Sequence, residues 1–520
     1  MSKNYVTSES SKKTLYIFGI GGTGSRVLKA MTLLLASGCQ LEGGFSQIVP
    51  IIIDPDKSNG DLNRTKHLMR LYQEIRSEIE EPSDFFQQEI SSIENIENDE
   101  SKSISEHNFQ WDLKDVDSGT FEDYIKFQTL NSDEGNNDQN FVKLFYSQKN
   151  LDSSLNVGFK GNPNMGVVVL NQITESDQFR NFAKGFNDGD AIFIINSIFG
   201  GTGAAGLPLL LKNIRKNEKV VNYRKIRDSK VGAITFLPYF SVDNKTDADN
   251  EIKSETFDEK AKVALSYYNR TIINNNELNA IYFIGNKTKG KNYVYSVGGE
   301  SQKNHANFLE LIGALSIFDF CSNEYFKDHD KTVVKEFGLK KTYSNVIDLF
   351  HLDDSTRNKV EEHLAKFKVF SDYLTSKYGL SKAKNVSRWT KNKLNRRFPV
   401  AKSRNSTLTE SFFDSPEFST IESFVNYFNR WIKEMEDNNP SFIPFRNKSS
   451  QNQPLDILSN DKTFNSKRYK LLDQSNNRFI TKKEIIGSKK EKTLKYTILI
   501  RLFEHSLKEL YTKNRENYER

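Results

Sequence analysis

Two glycine-rich turns carry the residue pattern in this chain best suited to chemistry. The first is Gly19-Ile20-Gly21-Gly22-Thr23-Gly24-Ser25, and the second is Gly200-Gly201-Thr202-Gly203-Ala204-Ala205-Gly206. Side chains absent from such turns leave bare backbone N–H groups, and a helix that starts there adds the positive end of its dipole. The chemistry implied is phosphate binding. Thr23, Ser25 and Thr202 add hydroxyl donors. No Lys follows in a GxxxxGK[ST] spacing, so neither turn is a P-loop. Two turns that share Gly-Gly-Thr-Gly point to one nucleotide held from two sides. Asp54 and Asp56 stand in Asp54-Pro55-Asp56. Carboxylates there suit ribose hydroxyls or a magnesium-bound water.

The elements that must position these residues are legible around them. Leu15–Phe18 and Ala191–Ile195 are apolar runs ahead of the two turns. Each turn opens a helical pattern, with Val27, Leu28, Met31, Leu34 and Leu35 on one stripe after the first. Ile48–Ile53 is apolar throughout, as a strand buried on both faces should be, and ends at the Asp-Pro-Asp turn. Further strands are expected at Val231–Leu237 and Ala280–Ile284, and an amphipathic helix at Asn304–Phe320. Strands alternating with helices predict an α/β fold with a parallel, Rossmann-like sheet. Residues 57–155, polar and acidic with helical pieces, read as a long insertion outside the core. Beyond about residue 355 the pattern is helical, at 355–378, 418–437 and 493–513, which predicts a mostly helical C-terminal domain over 326–520. Residues 1–13 are polar and read as a disordered N-terminus with no signal-peptide pattern.

Composition narrows the classes. The 520 residues carry 74 Lys+Arg against 68 Asp+Glu, a net charge of +6 that is too near balance for a dedicated nucleic-acid binder. Two cysteines, Cys39 and Cys321, exclude a disulfide framework and a CxxC zinc site and suit a reducing cytoplasm. No apolar run is long enough to span a membrane. The 38 Phe and 21 Tyr supply a ring-rich core.

Taken in order, the motifs resemble the tubulin/FtsZ superfamily, closer to FtsZ than to eukaryotic tubulin, and the whole looks like a divergent prokaryotic member. The first turn sits where the family's N-terminal phosphate loop sits. Asp54-Pro55-Asp56 falls at its second-strand turn. Gly161-Asn162-Pro163-Asn164-Met165-Gly166 is similar to the Gly-x-Asn-Pro-x-x-Gly loop that approaches the terminal phosphate. Gly200-Gly201-Thr202-Gly203 with Pro208 is similar to the signature glycine loop. Thr235–Asp243, with Pro238-Tyr239, looks like the Thr-x-Pro-Phe loop near the ribose, and Asn307 stands where the family's central helix contacts the purine. The resemblance covers roughly residues 14–325. It implies a GTPase domain that binds GTP or GDP, takes Mg2+ through the phosphates rather than through protein ligands, and stacks longitudinally on copies of itself into filaments. The insertion and the C-terminal domain would be open to a protein partner.

The departures are specific. Phe199 replaces the first Gly of the signature triplet, and Arg26 stands where FtsZ has a base-contacting Asn. The catalytic Asn-x-Asp-x-x-Asp motif is not intact. Its nearest counterpart is Asn345-Val346-Ile347-Asp348 with Asp353, which makes Asp348 and Asp353 the expected catalytic acids. Assembly-coupled hydrolysis and a nucleotide-gated interaction module with little hydrolysis, such as a bacterial conflict system could use, both follow from this pattern. A third reading is a ThiF-like adenylating enzyme, which the first turn, Asp54-x-Asp56 and Asp61-Leu62-Asn63-Arg64 also resemble. An ordinary NAD enzyme leaves the second glycine turn unused.

Overall fold

The first strand, β1 (Lys13–Ile20), shows why a sheet forms at all: its last seven residues are buried, with no polar alternation. Only a strand covered on both faces tolerates that pattern. In this computed structural model the described residues are 13–79, 83–97, 102–117, 119–132, 137–243, 257–286, 292–294, 299–323, 331–339, 345–376, 408, 410–444, 466–480 and 495–516. The N-terminal segment expected to be disordered lies outside them, apart from Lys13.

The remaining strands are β2 (Phe45–Ile53), β3 (Glu89–Ile90), β4 (Ala191–Ser197), β5 (Lys230–Phe236), β6 (Ser241–Asp243), β7 (Ala280–Ile284), β8 (Asn292–Val294), β9 (Val333–Glu336), β10 (Val346–Ile347) and β11 (Ser441–Phe442). Seven of them form one parallel sheet in the order β3-β2-β1-β4-β5-β7-β9. The chain thus builds outward from β1 in one direction, then returns to β4 and builds outward in the other. β1 and β4 are the switch point, where a crevice opens beyond the strand carboxyl ends. The α/β, Rossmann-like fold expected from the sequence is the fold observed.

The helices that matter below are α1 (Gly21–Ala36), α2 (Gly60–Ser77), α3 (Pro163–Leu170), α4 (Gly201–Lys216), α5 (Phe257–Tyr268), α6 (Phe308–Ser322), α7 (Asp354–Thr375), α8 (Pro416–Glu436), α9 (Ser466–Phe479) and α10 (Lys495–Glu516). α1 packs on β1 and β4 between α2 and α6. On the other face Phe18 stacks on Trp111 with ring centroids 5.4 Å apart and meets Phe182 edge-on at 5.5 Å.

Two boundaries differ from expectation. Residues from 57 onward do not leave the core at once: α2 buries Leu62, Leu68, Met69, Leu71, Tyr72 and Ile75, and β3 joins the sheet. The polar and acidic composition of the segment made its helical pieces read as part of an insertion outside the core. β3 is short because β2 carries Pro50, which has no N–H to donate. On that side Ser91 bonds the Ile48 carbonyl at 2.8 Å before the proline, and Phe109 and Trp111 take over after it, through Ile52 N to Phe109 O at 2.6 Å and Trp111 N to Ile52 O at 2.8 Å. The sheet also extends past residue 325, because β9 pairs with β7.

The helices at 354–375, 416–436 and 495–516 fall where the sequence places them. They pack through rings: Phe367 lies 4.9 Å from Phe428, Phe370 5.2 Å from Phe503, and Phe86 5.0 Å from Phe424. Phe86 and Tyr72 bring this cluster onto α2 and the segment after it. Among the described residues, no helix is long and apolar enough to cross a membrane.

Candidate functional site

The two glycine turns leave adjacent strands. Gly19 of β1 is in register with Ile195 of β4, so α1 and α4 start side by side over the switch point. Gly21 has φ +74°, and a Cβ built on it would lie 3.6 Å from both Gly203 N and Thr202 Cβ and 3.9 Å from Asp54 Oδ2. A side chain at Gly21 would fill the space between the two turns. The third turn joins them. A Cβ on Gly201 would lie 3.2 Å from Gly161 N and 3.1 Å from Asn162 N.

Three helix N-termini converge here. α1 has Ile20 as its N-cap, α4 has Gly200 and α3 has Asn162, with Pro163 in the first turn; none of the three has a side-chain cap or an acidic first-turn residue. The amides that a cap would satisfy are left for another acceptor. The arrangement can hold a multiply charged anion.

Gly22, Thr23, Gly24 and Ser25 form the first turns of α1. Gly24 packs against β1, since a Cβ there would lie 2.4 Å from the Gly19 carbonyl carbon. Thr23 and Ser25 are buried. Asn164 belongs to α3, and its carbonyl accepts from the Tyr146 hydroxyl at 3.3 Å.

Polar residues under the loops were not singled out from sequence. Asn196, fully buried at the end of β4, donates to Gly203 O at 3.3 Å and to the Tyr268 hydroxyl at 3.0 Å, and accepts from Thr235 Oγ1 at 2.9 Å. Lys260 Nζ donates to Gly161 O at 3.0 Å. The signal for Asn196 was a lone amide inside an apolar strand. Lys260 gave none, because it lies 99 residues from its partner.

Asp54 and Asp56 do different work. Asp56 ties its own loop by accepting from Ser58 Oγ at 2.8 Å and joins it to the distant Gly299 by accepting from Gly299 N at 2.8 Å. Asp54 is the carboxylate beside Gly21. Burial pushes its pKa up to about 7, with Asp56 adding to the rise; the Asp56 amide, bonded at 2.9 Å, and Lys66 oppose it. Lys66 reaches the same place through Gln110: its Nζ donates to Gln110 Oε1 at 2.8 Å, and Gln110 Nε2 donates to the Asp54 carbonyl at 2.8 Å. Burial lowers the Lys66 pKa to about 8.

Arg26 and Asn307, expected at the base, are engaged inside the protein. Arg26 is 6% exposed; its Nε meets Glu310 Oε1 at 2.5 Å, its Nη2 donates to the Tyr239 hydroxyl at 2.8 Å, and its Nη1 lies 3.6 Å from Asp61 Oδ2. Asn307 is the N-cap of α6, accepting from Leu309 N at 3.0 Å, and Glu310 reaches back to Asn307 N at 3.0 Å. This is a capping box, whose Asn-x-x-Glu signature is in the sequence. Asp61, Arg64, Lys29 and Glu434 continue the buried network: Lys29 Nζ lies 3.3 Å and Arg64 Nη1 3.7 Å from Glu434, and Arg64 also pairs with Asp61. Asp243 ends β6, opposite Val294 of β8.

Asp348 and Asp353 also serve as caps. Asp348, fully buried, accepts from Phe350 N at 3.1 Å and pairs with His351 Nδ1 at 2.8 Å. Asp353 caps α7 by accepting from Thr356 N at 2.9 Å. Phe199, at the odd position of the second turn, is buried against Phe240 at 5.4 Å and Tyr239 at 6.1 Å.

No protein-family model and no curated protein matches the chain. Among solved structures it is similar to CetZ from Methanosaeta thermophila strain DSM 6194, at 14% identity and TM-score 0.25, over 61% of this chain and 52% of that one. It is also similar to CetZ2 from Haloferax volcanii, described as a GTPγS-bound protofilament, at 13% identity and TM-score 0.25, over 61% of this chain and 56% of that one. The chain thus spans about half the length of each.

Proposed function

We propose that this chain is a tubulin-like nucleotide-binding protein that takes GTP over the switch point and assembles with copies of itself. The observation that carries the reading is the meeting of three separate turns, around Gly21, Gly161 and Gly201, at three helix N-termini without side-chain caps. Backbone amides of these turns would take the phosphates. Asp54 would face a phosphate-bound Mg2+, which neutralises phosphate charge when present. Asp56 in the turn after β2, Thr202 in the first turn of α4 and Asp243 at the end of β6 belong to this proposal as further residues around the ligand.

A second reading, a nucleotide-gated module with slow turnover, is favoured by the capping roles of Asp348 and Asp353. Carboxylates engaged as caps are poorly placed to activate a water on a neighbouring subunit. The adenylation reading loses support because Arg64 and Asp61 are engaged with each other and with Glu434 and Arg26.

The test begins with the nucleotide that co-purifies with the full chain. Sedimentation with GTP and Mg2+ then asks for assembly, and phosphate release is followed at rising protein concentration. A guanine nucleotide and GTP-dependent pelleting are expected. Specific activity that rises with concentration selects assembly-coupled hydrolysis, and pelleting without turnover selects the gated module. A chain that binds no nucleotide and stays monomeric overturns both.

A further inference from the structure

The helix Asp138–Phe145 wears its apolar stripe on the outside. Phe141, Leu144 and Phe145 fall at i, i+3 and i+4, on one side of the helix. A lone globular chain turns such a stripe onto its core. Here it meets water: Phe141 is 62%, Leu144 79% and Phe145 59% exposed, and no residue of the helix is fully buried.

The opposite side fixes this orientation. Gln139 Nε2 donates to the Leu130 carbonyl at 3.3 Å and the Phe127 carbonyl at 3.4 Å. Lys143 Nζ lies 5.6 Å over the Phe127 ring, and Val142 packs against the core. Just past the helix, Tyr146 lies 4.9 Å from Phe121 between ring centroids and donates to Asn164 O at 3.3 Å. Polar groups therefore point inward while two rings and a leucine point outward. Phe141 and Phe145 meet edge-on at 5.2 Å, which makes the outer face one preformed surface.

Size, charge and shape name its occupant. The two rings and Leu144 present roughly 350 Å² of apolar surface, the scale of an interaction patch. Two such faces together bury about 700 Å², short of the roughly 1,200 Å² at which stable complexes begin. The stripe itself carries no charge, and the helix has Asp138 in its first turn and Lys143 in its last. An antiparallel copy sets the acidic end against the basic end twice over, with the helix dipoles opposed. The same balance of Asp138 and Lys143 gives no pull towards anionic lipid headgroups. Among the described residues the other large exposed hydrophobics are Val167, Val221, Val263, Tyr267 and Val334, and no second triplet of this spacing stands among them. The surface that matches this face in size and ring content is the same face on another copy.

We propose that this face is a weak two-fold contact between copies of the chain. Phe141 of one copy lies against Phe145 of the other, with Leu144 beside the axis. The contact lies outside the glycine turns and needs no nucleotide, so it does not rest on the nucleotide reading above.

The test is sedimentation equilibrium of the full chain without nucleotide, from about 1 to about 300 μM, the range in which so small a contact should form. Wild type should show a reversible monomer–dimer equilibrium. Phe141→Ser combined with Leu144→Ser should raise the dissociation constant at least tenfold and leave the melting curve unchanged. Wild type that stays monomeric throughout overturns the proposal, as does an unchanged constant in the double variant. A monomeric chain that pellets with phosphatidylcholine vesicles through these residues also overturns it, because lipid is then the occupant. If the double variant does not fold, Leu144→Cys decides. Both native cysteines are buried, so mild oxidation should link Leu144→Cys chains into a dimer and leave Val221→Cys chains, altered at an exposed position on another element, unlinked. Equal linking of the two overturns the proposal. Dimerisation through this face by a chain that binds no GTP would support the contact and sink the nucleotide reading alone.

Discussion

Asp54 shows how a single buried group fixes a pH response. Its pKa is pushed up to about 7 by burial from an ordinary 3.8. Between those values the folded chain holds a proton that the unfolded chain has released, so this group makes stability fall as pH rises through that window. Asp54→Asn removes the penalty and keeps an oxygen for the Asp56 amide. The variant should be more stable than wild type at pH 8 by roughly 1–3 kcal/mol, with the gap closing towards pH 5. Ligand-free denaturant melts across that range check it, and a gap that stays constant with pH refutes it. The position of Asp54 at the phosphate turn was legible because it ends an apolar strand. Its environment was not, because Gln110 and Lys66 come from outside that strand. Arg26 and Asn307 mark the same limit from the other side. Their residue types suit a base contact, yet Glu310, three residues beyond Asn307, claims both of them.

At the scale of elements, the strands and most helices could be read because apolar periodicity is a local signal. The ends of β7 agree with the sequence reading to the residue, and the C-terminal helices agree within a few. The helical character of α2 was visible within the polar stretch, but its place in the core was not, because its charged residues do not all face water. Asp61 and Arg64 point into the protein, and their partners lie on α1 and α8, far away in sequence. Glu434 of α8 is the hinge of that network: it pairs with Lys29, lies near Arg64, and accepts from Ala306 N at 3.0 Å just ahead of the α6 cap. Glu434→Ala leaves Lys29 buried without its carboxylate, which should cost about 3 kcal/mol. Glu434→Gln keeps the bond to Ala306 and should cost less. Chemical denaturation of both variants measures the difference, and equal losses would show that charge at this position is unimportant.

For the whole molecule, the fold class was legible and the domain layout less so. The alternation of strands and helices announced a parallel sheet. That β9 would extend it beyond residue 325 had no local signature, since the strand is only four residues long. The helical region and the sheet share one continuous hydrophobic core through Phe86, Tyr72 and Phe424. The pairing of β1 with β4 has a further consequence, in the order of events during folding. Leu15 meets Ala191 across a separation of 176 residues, and contacts that distant in sequence form slowly because a long loop must close first. The turns at Gly21 and Gly201 stand apart until that closure is made. Competence to take up nucleotide should therefore appear late in refolding, after most helical signal has returned. Stopped-flow circular dichroism beside fluorescent-nucleotide uptake would separate the two phases, and simultaneous recovery would contradict the order. A nucleotide that waits for this closure would act as a check on the finished sheet, holding the two arms of the chain together only once both have arrived.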